Sequence, residues 1–212
     1  MAKDLVLCSV PPVAKGGERD VYVHPQNSEW LVKVYHQRFY DVHLKKYPII
    51  MRLRRLKRYW SLVNELIEFI GIREDQNVET KYLQTIVGLA DTDQGIGMIV
   101  NAVLSEDGGL ASTLKSLVEN GEYQPRHVEA LEKLFQWMDE THIIIRDFSL
   151  DNLVWDYKQQ CFVIIDGIGS KATLSLRSFS KVYNLHANKK RITKFRSRLD
   201  KLLRENTDLT VQ

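Results

Sequence analysis

The segment between positions 145 and 169 contains three polar residues of the types that phosphoryl transfer requires. Asp147 comes first, Asn152 follows five residues later, and Asp166 stands at the end of an apolar run. One carboxylate can orient and deprotonate a hydroxyl group, while a carboxamide and a second carboxylate can hold Mg²⁺ on the phosphates of a nucleotide. These residue types are therefore the set that a phosphoryl-transfer site using a nucleotide and Mg²⁺ needs.

Two loops are expected to carry these residues, because short apolar segments flank them. Residues 143–145 are predicted to form a short buried strand ahead of Asp147. Residues 153–155 and 161–165 are predicted to form a hairpin, with Asp166 directly after its second strand. Binding chemistry is usually placed on loops at the ends of such rigid elements.

The first half of the chain alternates predicted strands with one helical region. Segments rich in Val, Ile, Tyr and Trp predict strands at residues 5–10, 20–24, 30–35, 84–89 and 97–103. A mostly helical pattern runs from about 42 to 70, where Pro48 must start, kink or break a helix. These elements predict a lobe of strands with a helix over about residues 1–100.

Two further helices are predicted in the second half. Pro125 can begin the first of them, with apolar residues at helical spacing on one face: Val128, Leu131, Leu134, Phe135 and Met138. A basic helix is expected from about residue 175, with an apolar side formed by Val182, Leu185, Ile192, Phe195, Leu199, Leu202 and Leu203.

The motifs around the three polar residues resemble those of protein kinases. R-D-F-S-L-D-N at 146–152 is similar to the kinase catalytic loop, H-R-D-x-x-x-x-N, and I-I-D-G-I-G at 164–169 resembles the strand leading into the metal-binding D-F-G. Lys33, in L-V-K-V on a predicted strand, takes the place of the phosphate-binding lysine. More narrowly, K-V-Y-H at 33–36 and R-R-L-K at 54–57 resemble the bacterial kinase-like family typified by YrbL, the PhoP regulatory network protein.

This resemblance implies an α+β, protein-kinase-like, two-lobed and compact fold over a single domain of residues 1–212. The N-terminal lobe would cover about 1–100 and the C-terminal lobe about 104–212. Only 46 residues follow Asp166, so the second lobe is expected to be truncated and a long peptide substrate is disfavoured.

The resemblance also implies a role for each matching residue. Asp147 would be the catalytic base, Asn152 and Asp166 would bind Mg²⁺, and Lys33 would hold the α- and β-phosphates of ATP. The remaining cofactor-binding residues would act through backbone groups: Gly16 and Gly17 on phosphate, and the hinge residues Asn101, Ala102 and Val103 on adenine.

Several positions depart from the kinase pattern. Ile145 replaces the catalytic-loop histidine, and the glycine loop is K-G-G-E instead of G-x-G-x-x-G. The carboxylate that should pair with the strand lysine is not obvious, and the candidates are Asp41, Glu65 and Glu68. These departures leave a pseudokinase, acting as a nucleotide-binding or regulatory module, as an alternative to an active enzyme.

Charge is distributed unevenly along the chain. Arg38–Arg58 holds eight basic residues against one acid, and Lys171–Arg204 holds eleven against one, whereas Tyr59–Ser170 holds seven against nineteen. The basic segments are either solvated helical faces or a surface for an anionic partner such as nucleic acid, anionic lipid or a phosphorylated substrate.

The composition is that of a soluble globular protein, with 44% hydrophobic and 27% charged residues. No apolar run reaches the roughly 20 residues of a membrane span, and no secretory signal is recognisable. Cys8 and Cys161 are expected to be free thiols in a cytoplasmic protein. The acceptor of an active enzyme would be a small phosphorylated or sugar molecule, a lipopolysaccharide component or a protein hydroxyl.

Overall fold

The described residues of this computed structural model are 5–36, 59–75, 78–170 and 180–210. They group into two units. The first lies within residues 1–63 and 85–102, and the second within residues 64–84 and 103–212. Residues 64–84, which the sequence pattern placed in the first lobe, therefore group with the second unit.

The first unit contains a five-stranded antiparallel sheet. Its strands are β1 (Ala14–Lys15), β2 (Arg19–His24), β3 (Asn27–Tyr35), β4 (Ile86–Thr92) and β5 (Gly95–Asn101). Their spatial order is β1-β2-β3-β5-β4. The β2–β3 and β4–β5 pairs are hairpins, and β3 has a strand on each side. The sheet packs one face on a small apolar core of Leu5, Leu7, Tyr22, Val32 and Val34.

The strand predicted at residues 5–10 is wrong. Only Leu5 pairs, through an isolated bridge to Thr92, because a side chain satisfies the backbone that follows. The Asp93 carboxylate accepts the N–H groups of Leu7 and Cys8, each at 2.9 Å. A hydrogen bond from the Cys8 thiol and these two backbone bonds lower the pKa of Asp93 below its usual value.

The second unit is mainly helical around one short hairpin. Its described elements are α1 (Trp60–Glu74), whose residues 60–63 group with the first unit, α2 (Leu114–Glu119), α3 (Pro125–Glu140), a 3₁₀ turn (Leu150–Asn152), β6 (Leu153–Asp156), β7 (Cys161–Ile164) and α4 (Lys181–Thr210). The predicted helix from Pro125 and the predicted hairpin are confirmed. The part of the predicted 42–70 helix before residue 59 lies outside the described residues.

Helix α3 and the hairpin form the centre of the second unit's core. Leu131, Leu134 and Met138 of α3 are buried as predicted, whereas Val128 is 45% exposed. The largest fully buried side chains of the unit surround them: Trp155, Phe162, Phe195, Leu114, Leu117, Ile143, Ile145 and Leu153. This core supports the residues on either side of the hairpin.

The predicted basic helix is present as α4 from Lys181, but near its start the buried residues differ from the prediction. The predicted part at residues 175–179 lies outside the described residues. Ile192, Phe195 and Leu199 are buried, but Val182 is 79% exposed. The residues that continue the buried face toward the N-terminus are Asn188 and Asn184, both fully buried. The prediction chose apolar residues such as Val182 for the buried side. The 3.6-residue period of the helix instead places Asn188 and Asn184 in line with Ile192.

The α+β class predicted from the sequence is confirmed by this arrangement of an antiparallel sheet and helices. Cys8 is an exposed free thiol, and Cys161 is a buried one. Burial, helped by the nearby Asp156 carboxylate, raises the pKa of the Cys161 thiol to about 11, so this thiol is protonated at neutral pH. Within the described part of the chain, no helix combines the length and the apolarity needed to cross a bilayer.

Candidate active site

The backbone that leads to Asp147 is extended without being a strand. Residues 143–145 were predicted as a strand, but only Ile145 pairs, in an isolated bridge with Ile168. Side chains take the place of a neighbouring strand. The Ile144 N–H donates to Glu68 Oε2 at 2.9 Å, and Asn184 Nδ2 donates to the Ile143 carbonyl at 2.8 Å. A buried backbone needs partners for its polar groups, and here α1 and α4 supply them.

The loop that carries Asp147 and the loop that carries Asp166 are bonded to each other. The N–H groups of Arg146 and Asp147 both donate to the Gly167 carbonyl, at 2.6 and 3.0 Å, and the Gly169 N–H donates to the Ile144 carbonyl at 2.8 Å. Two of the three residues predicted from the motifs are therefore brought onto adjacent, paired loops.

Gly167 and Gly169 are required by this pairing. Both have positive φ, +81° and +85°, which side chains disfavour. A Cβ at Gly167 would overlap the Asp147 carbonyl oxygen, and one at Gly169 would lie 2.8 Å from the carbonyl oxygen of Asn64. Both glycines thus have a steric cause, because Gly167 lies against the backbone of Asp147, and Gly169, the glycine of the D-x-x-G form, lies against the backbone of Asn64.

Asn152 joins the same network. Its side-chain nitrogen donates to the Asp147 carbonyl at 3.2 Å, and its own carbonyl accepts the Ile165 N–H at 3.0 Å. The first bond commits the amide nitrogen, so the amide oxygen is the atom that a cation would contact. The Asp166 carboxylate accepts the Gly167 N–H at 2.6 Å through Oδ1. Its neighbour in sequence, Ile165, is the residue whose N–H is bonded to Asn152.

These residues fit a magnesium ion that is held mainly by a nucleotide. Among the described residues, no group of three or more His, Cys, Asp or Glu is placed to hold a metal. Mg²⁺ commonly takes one or two protein oxygens and completes its octahedron with phosphate and water. Asn152 and Asp166 offer an amide oxygen and a carboxylate, which is the donor set expected for such an ion.

Phe148 anchors the loop that carries the exposed Asp147. Asp147 is exposed, whereas Phe148 is buried and its ring lies 4.5 Å from that of Phe195 on α4. Phe135 of α3 completes the cluster at 5.8 Å from Phe195. Alternation along an extended loop thus places the carboxylate outward and the aromatic ring inward.

Lys33 lies in the middle of β3 and is buried. It pairs with Val21 on one side and Met98 on the other, and only 6% of it is exposed. Of its candidate partners, Asp41 lies outside the described residues, Glu68 accepts the Ile144 N–H, and Glu65 is buried, with 5% of its surface exposed. The pairing of Lys33 with any of them stays a prediction.

The predicted glycine loop connects β1 to β2. The Gly16 N–H donates to the Arg19 carbonyl at 2.8 Å. The His36 ring, at the end of β3, donates from Nε2 to the Gly16 carbonyl at 2.9 Å and contacts the Asp20 carboxylate through Nδ1 at 3.1 Å. A Cβ at Gly17 would meet no atom within 4 Å. The loop is therefore held at Gly16 and open at Gly17.

The predicted hinge begins at the last residue of β5. The Asn101 N–H donates to the Thr85 carbonyl at 2.9 Å and the Ala102 N–H to the Glu29 carbonyl at 2.7 Å. The Val103 carbonyl accepts the Ala111 N–H at 3.0 Å. Of the hinge's backbone groups, the N–H groups of Asn101 and Ala102 and the carbonyl of Val103 are thus already engaged. The adenine-binding role of the hinge stays a prediction.

Sequence reasoning missed three residues that position the site. Asn184 and Asn188 hold the backbone ahead of Asp147, and His36 holds the glycine loop. A signal existed for each of them. The apolar ladder of α4, extended backward from Leu199 in helical steps, arrives at Asn188 and Asn184, and polar residues on a buried face must be hydrogen-bonded. His36 is the final residue of the K-V-Y-H motif.

Part of the second basic segment lies on the outer side of α4. Lys190, Lys194 and Arg198 are exposed and spaced four residues apart, so they share one side of the helix. Within the described part of the chain none of the three forms an ion pair, whereas Arg196 pairs with Glu132 at 2.6 Å. The first basic segment, Arg38–Arg58, lies outside the described residues.

Two comparisons with known proteins bear on this chain. The family model described as PhoP regulatory network protein YrbL matches residues 5–200. Among solved structures, the crystal structure of Rad53 1-466 in complex with AMP-PNP is similar, with a TM-score of 0.47 and 14% sequence identity. The match covers 83% of this chain and 43% of that one, so the chain spans less than half of the Rad53 chain. No curated protein matches the sequence significantly.

Proposed function

The chain belongs to the family of the PhoP regulatory network protein YrbL, and from this premise we propose that it is a Mg²⁺/ATP-dependent phosphotransferase that acts on a hydroxyl acceptor. The observation that carries the proposal is the hydrogen-bonded network of Asp147, Asn152 and the Asp166–Gly169 loop. Its backbone hydrogen bonds join residues 20 to 25 positions apart in sequence, so the loop assigned to the base lies beside the loop assigned to the metal.

Each residue has a role that its local geometry supports. Asp147 is exposed at the tip of an anchored loop, where it can accept the proton of an acceptor hydroxyl as that oxygen bonds to the γ-phosphorus. The bond between the γ-phosphorus and the β–γ bridging oxygen breaks, and ADP leaves. Lys33 would pair with the α- and β-phosphates. Asn152 and Asp166 would hold Mg²⁺, which neutralises charge on the phosphates.

The acceptor is proposed to be a small phosphorylated or sugar molecule, a lipopolysaccharide component or a protein hydroxyl. The residues described do not select among these classes, since Asp147 needs only a hydroxyl within reach. A cytoplasmic location and a part in a stress response belong to the same proposal, because ATP as co-substrate and the family's regulatory name both agree with them.

Calorimetric titration of ATP, with and without Mg²⁺, tests the metal site directly. ATP should bind the native protein more tightly when Mg²⁺ is present. In Asp166→Ala this gain should disappear, because a carboxylate that holds the ion is lost. Asp147→Asn should bind MgATP normally but release ADP about a hundredfold more slowly or worse, because the base is removed.

Asp151→Asn is the matched control for both variants. Asp151 lies in the same loop, is exposed, and contacts Lys115 at 3.6 Å, outside the bonded network. Its replacement should change neither binding nor turnover. MgATP binding without any ADP release above the Asp147→Asn variant would instead identify a pseudokinase, and equal activity in all variants would refute the assigned roles.

A second candidate function is binding of an anionic partner, and the exposed cations Lys190, Lys194 and Arg198 favour it. Contacts with phosphate groups release counterions, so such binding should weaken steeply as salt rises. An oligonucleotide that fails to bind even at low salt, or binds independently of salt, would remove this candidate.

A further inference from the structure

Two buried asparagines of α4 saturate the backbone carbonyls ahead of the catalytic loop. Asn184 Nδ2 donates to the carbonyls of His142 and Ile143, at 3.0 and 2.8 Å, and Asn188 Nδ2 donates to the Ile143 carbonyl at 3.0 Å. Both asparagines are fully buried. The Ile143 oxygen therefore receives two donors, one for each of its lone pairs.

Helix α4 also contacts the chain on the other side of Asp147. Phe195 packs on Phe148, with ring centroids 4.5 Å apart. Asn188 and Phe195 are seven residues apart, so they lie on the same side of the helix, two turns from each other. One rigid helix thus touches the chain both before and after the catalytic aspartate.

We propose that α4 is the positioning element of the active site, and that Asn184 and Asn188 set the place of Asp147 by fixing the backbone of residues 142–147. This inference rests on the proposed function for its catalytic part. Its structural part stands on the hydrogen bonds alone. The two asparagines are positioning residues, since they bind backbone and contact no substrate.

The bonded network explains why the effect should reach Asp147. Residue 144 is held by Glu68 and Gly169, and residues 146 and 147 are held by Gly167. The carbonyls of His142 and Ile143 have the two asparagines as their side-chain donors. Removal of these donors takes side-chain hydrogen bonds from the buried Ile143 carbonyl, so the segment should shift or open to regain partners.

Hydrogen–deuterium exchange of the nucleotide-free, full-length protein tests the structural part. In Asn184→Ala, the amides of residues 143–147 should exchange at least about tenfold faster than in the native protein. Asn188→Ala removes one of the three hydrogen bonds to the carbonyls of residues 142 and 143, whereas Asn184→Ala removes two, so it should give a smaller increase in the same amides. It also keeps the test decisive if Asn184→Ala does not fold.

Asn206→Ala is a matched control on the same helix. Asn206 Nδ2 also donates to a backbone carbonyl, that of Val118 at 2.5 Å, far in sequence from the catalytic loop. Its replacement should speed exchange near the end of α2, at residues 117–122, and leave residues 143–147 unchanged. Replacement of Asn184 or Asn188 should therefore affect residues 143–147, and replacement of Asn206 should affect residues 117–122.

Kinetics of the same variants test the catalytic part. Asn184→Ala should lower kcat about tenfold, because small misplacement of a catalytic group is costly, while the dissociation constant of MgATP stays within about twofold of the native value. Asn206→Ala should leave both quantities unchanged.

The outcomes separate this inference from the proposed function. Unchanged exchange at residues 143–147 in both asparagine variants overturns the inference, as does faster exchange with a native kcat. A native protein that transfers no phosphate refutes the proposed function, and the exchange result then decides by itself whether α4 positions the loop.

Discussion

The glycine loop of the first unit and the paired loops 142–147 and 166–169 of the second unit differ in how much of their backbone is bonded. In the second unit, two glycines with positive φ allow the loops to touch, and their carbonyl and N–H groups pair across the contact. In the first unit, Gly16 is bonded but Gly17 borders open space. The part assigned to the base and the metal is therefore specified by packing, whereas the phosphate loop tolerates variation.

This difference accounts for the pattern of agreement with the kinase motifs. The D-x-x-G glycine, Gly169, is present where the backbone leaves no room for a side chain. The K-G-G-E loop departs from G-x-G-x-x-G where the structure imposes one close contact, at Gly16. The glycine motif is thus the weaker guide to function in this chain.

A matched pair of glycine substitutions gives the largest expected effect. Gly167→Ala should destabilise the protein by about 3 kcal/mol, because a side chain disfavours this φ and its Cβ overlaps the Asp147 carbonyl. Gly17→Ala should change the free energy of unfolding by less than about 0.5 kcal/mol. Urea denaturation followed by circular dichroism measures both. A comparable loss of stability in the two variants would contradict the contrast between the loops.

Loss of the histidine that holds the glycine loop should have an intermediate effect. His36→Ala removes contacts to the Gly16 carbonyl and to Asp20, and neutral or partly exposed contacts of this kind contribute about 1 kcal/mol. MgATP affinity should therefore fall about fivefold, as calorimetric titration would show.

His36→Gln provides the control, because a glutamine nitrogen can replace the donor to Gly16 while the contact to Asp20 is lost. We expect it to recover most of the affinity. Native affinity in His36→Ala would mean that this loop does not contribute to nucleotide binding, which would sharpen the contrast with the second unit.

The smallest expected effect is a pH dependence of the free energy of unfolding that arises from His127 in the second unit. His127 of α3 is buried against Trp155, and its Nδ1 accepts the Gln124 N–H at 2.9 Å. Burial, and secondly the Arg126 charge, lower the pKa of His127 below its usual 6.5. The native state therefore keeps this ring neutral, while the unfolded chain binds a proton as the pH falls through about 6.5.

Stability contributed by His127 should be present above pH 6.5 and decline below it, toward the lowered native pKa. Urea midpoints at pH 7.5 and 5.5 measure this change. His127→Asn keeps an acceptor for the Gln124 N–H and has no titrating ring, so its midpoint should fall less over the same interval. An equal fall in both proteins would assign the pH dependence to other groups.

Much of the second unit was predictable from local patterns. The α3 helix follows from Pro125 and its periodic apolar residues, and the hairpin follows from two apolar runs around a polar turn. The side of α4 that is buried was predicted only from Ile192 onward. Nearer the start of the helix, the apolar pattern predicted burial of Val182 and Leu185, whereas the fully buried residues are Asn184 and Asn188.

Two predicted strands were wrong for the same reason. At residues 5–10 and 143–145 the apolar composition is that of a strand, and burial of those residues was partly or wholly as expected. In both places side chains distant in sequence satisfy the backbone: Asp93 in the first, and Glu68 with the α4 asparagines in the second. Apolar composition predicts burial, but it does not reveal which partner bonds the backbone.

The sequence by itself determined the family, the α+β class and the identity of Asp147, Asn152 and Asp166 as candidate residues, because these depend on residue type and on spacing within one or two turns or strands. The tertiary structure alone decided that their loops bond to each other, that Gly167 and Gly169 admit no side chain, and that α4 holds the approach to Asp147. Those features join residues about 20 to 105 positions apart, and contacts over such distances depend on how packed elements meet in space.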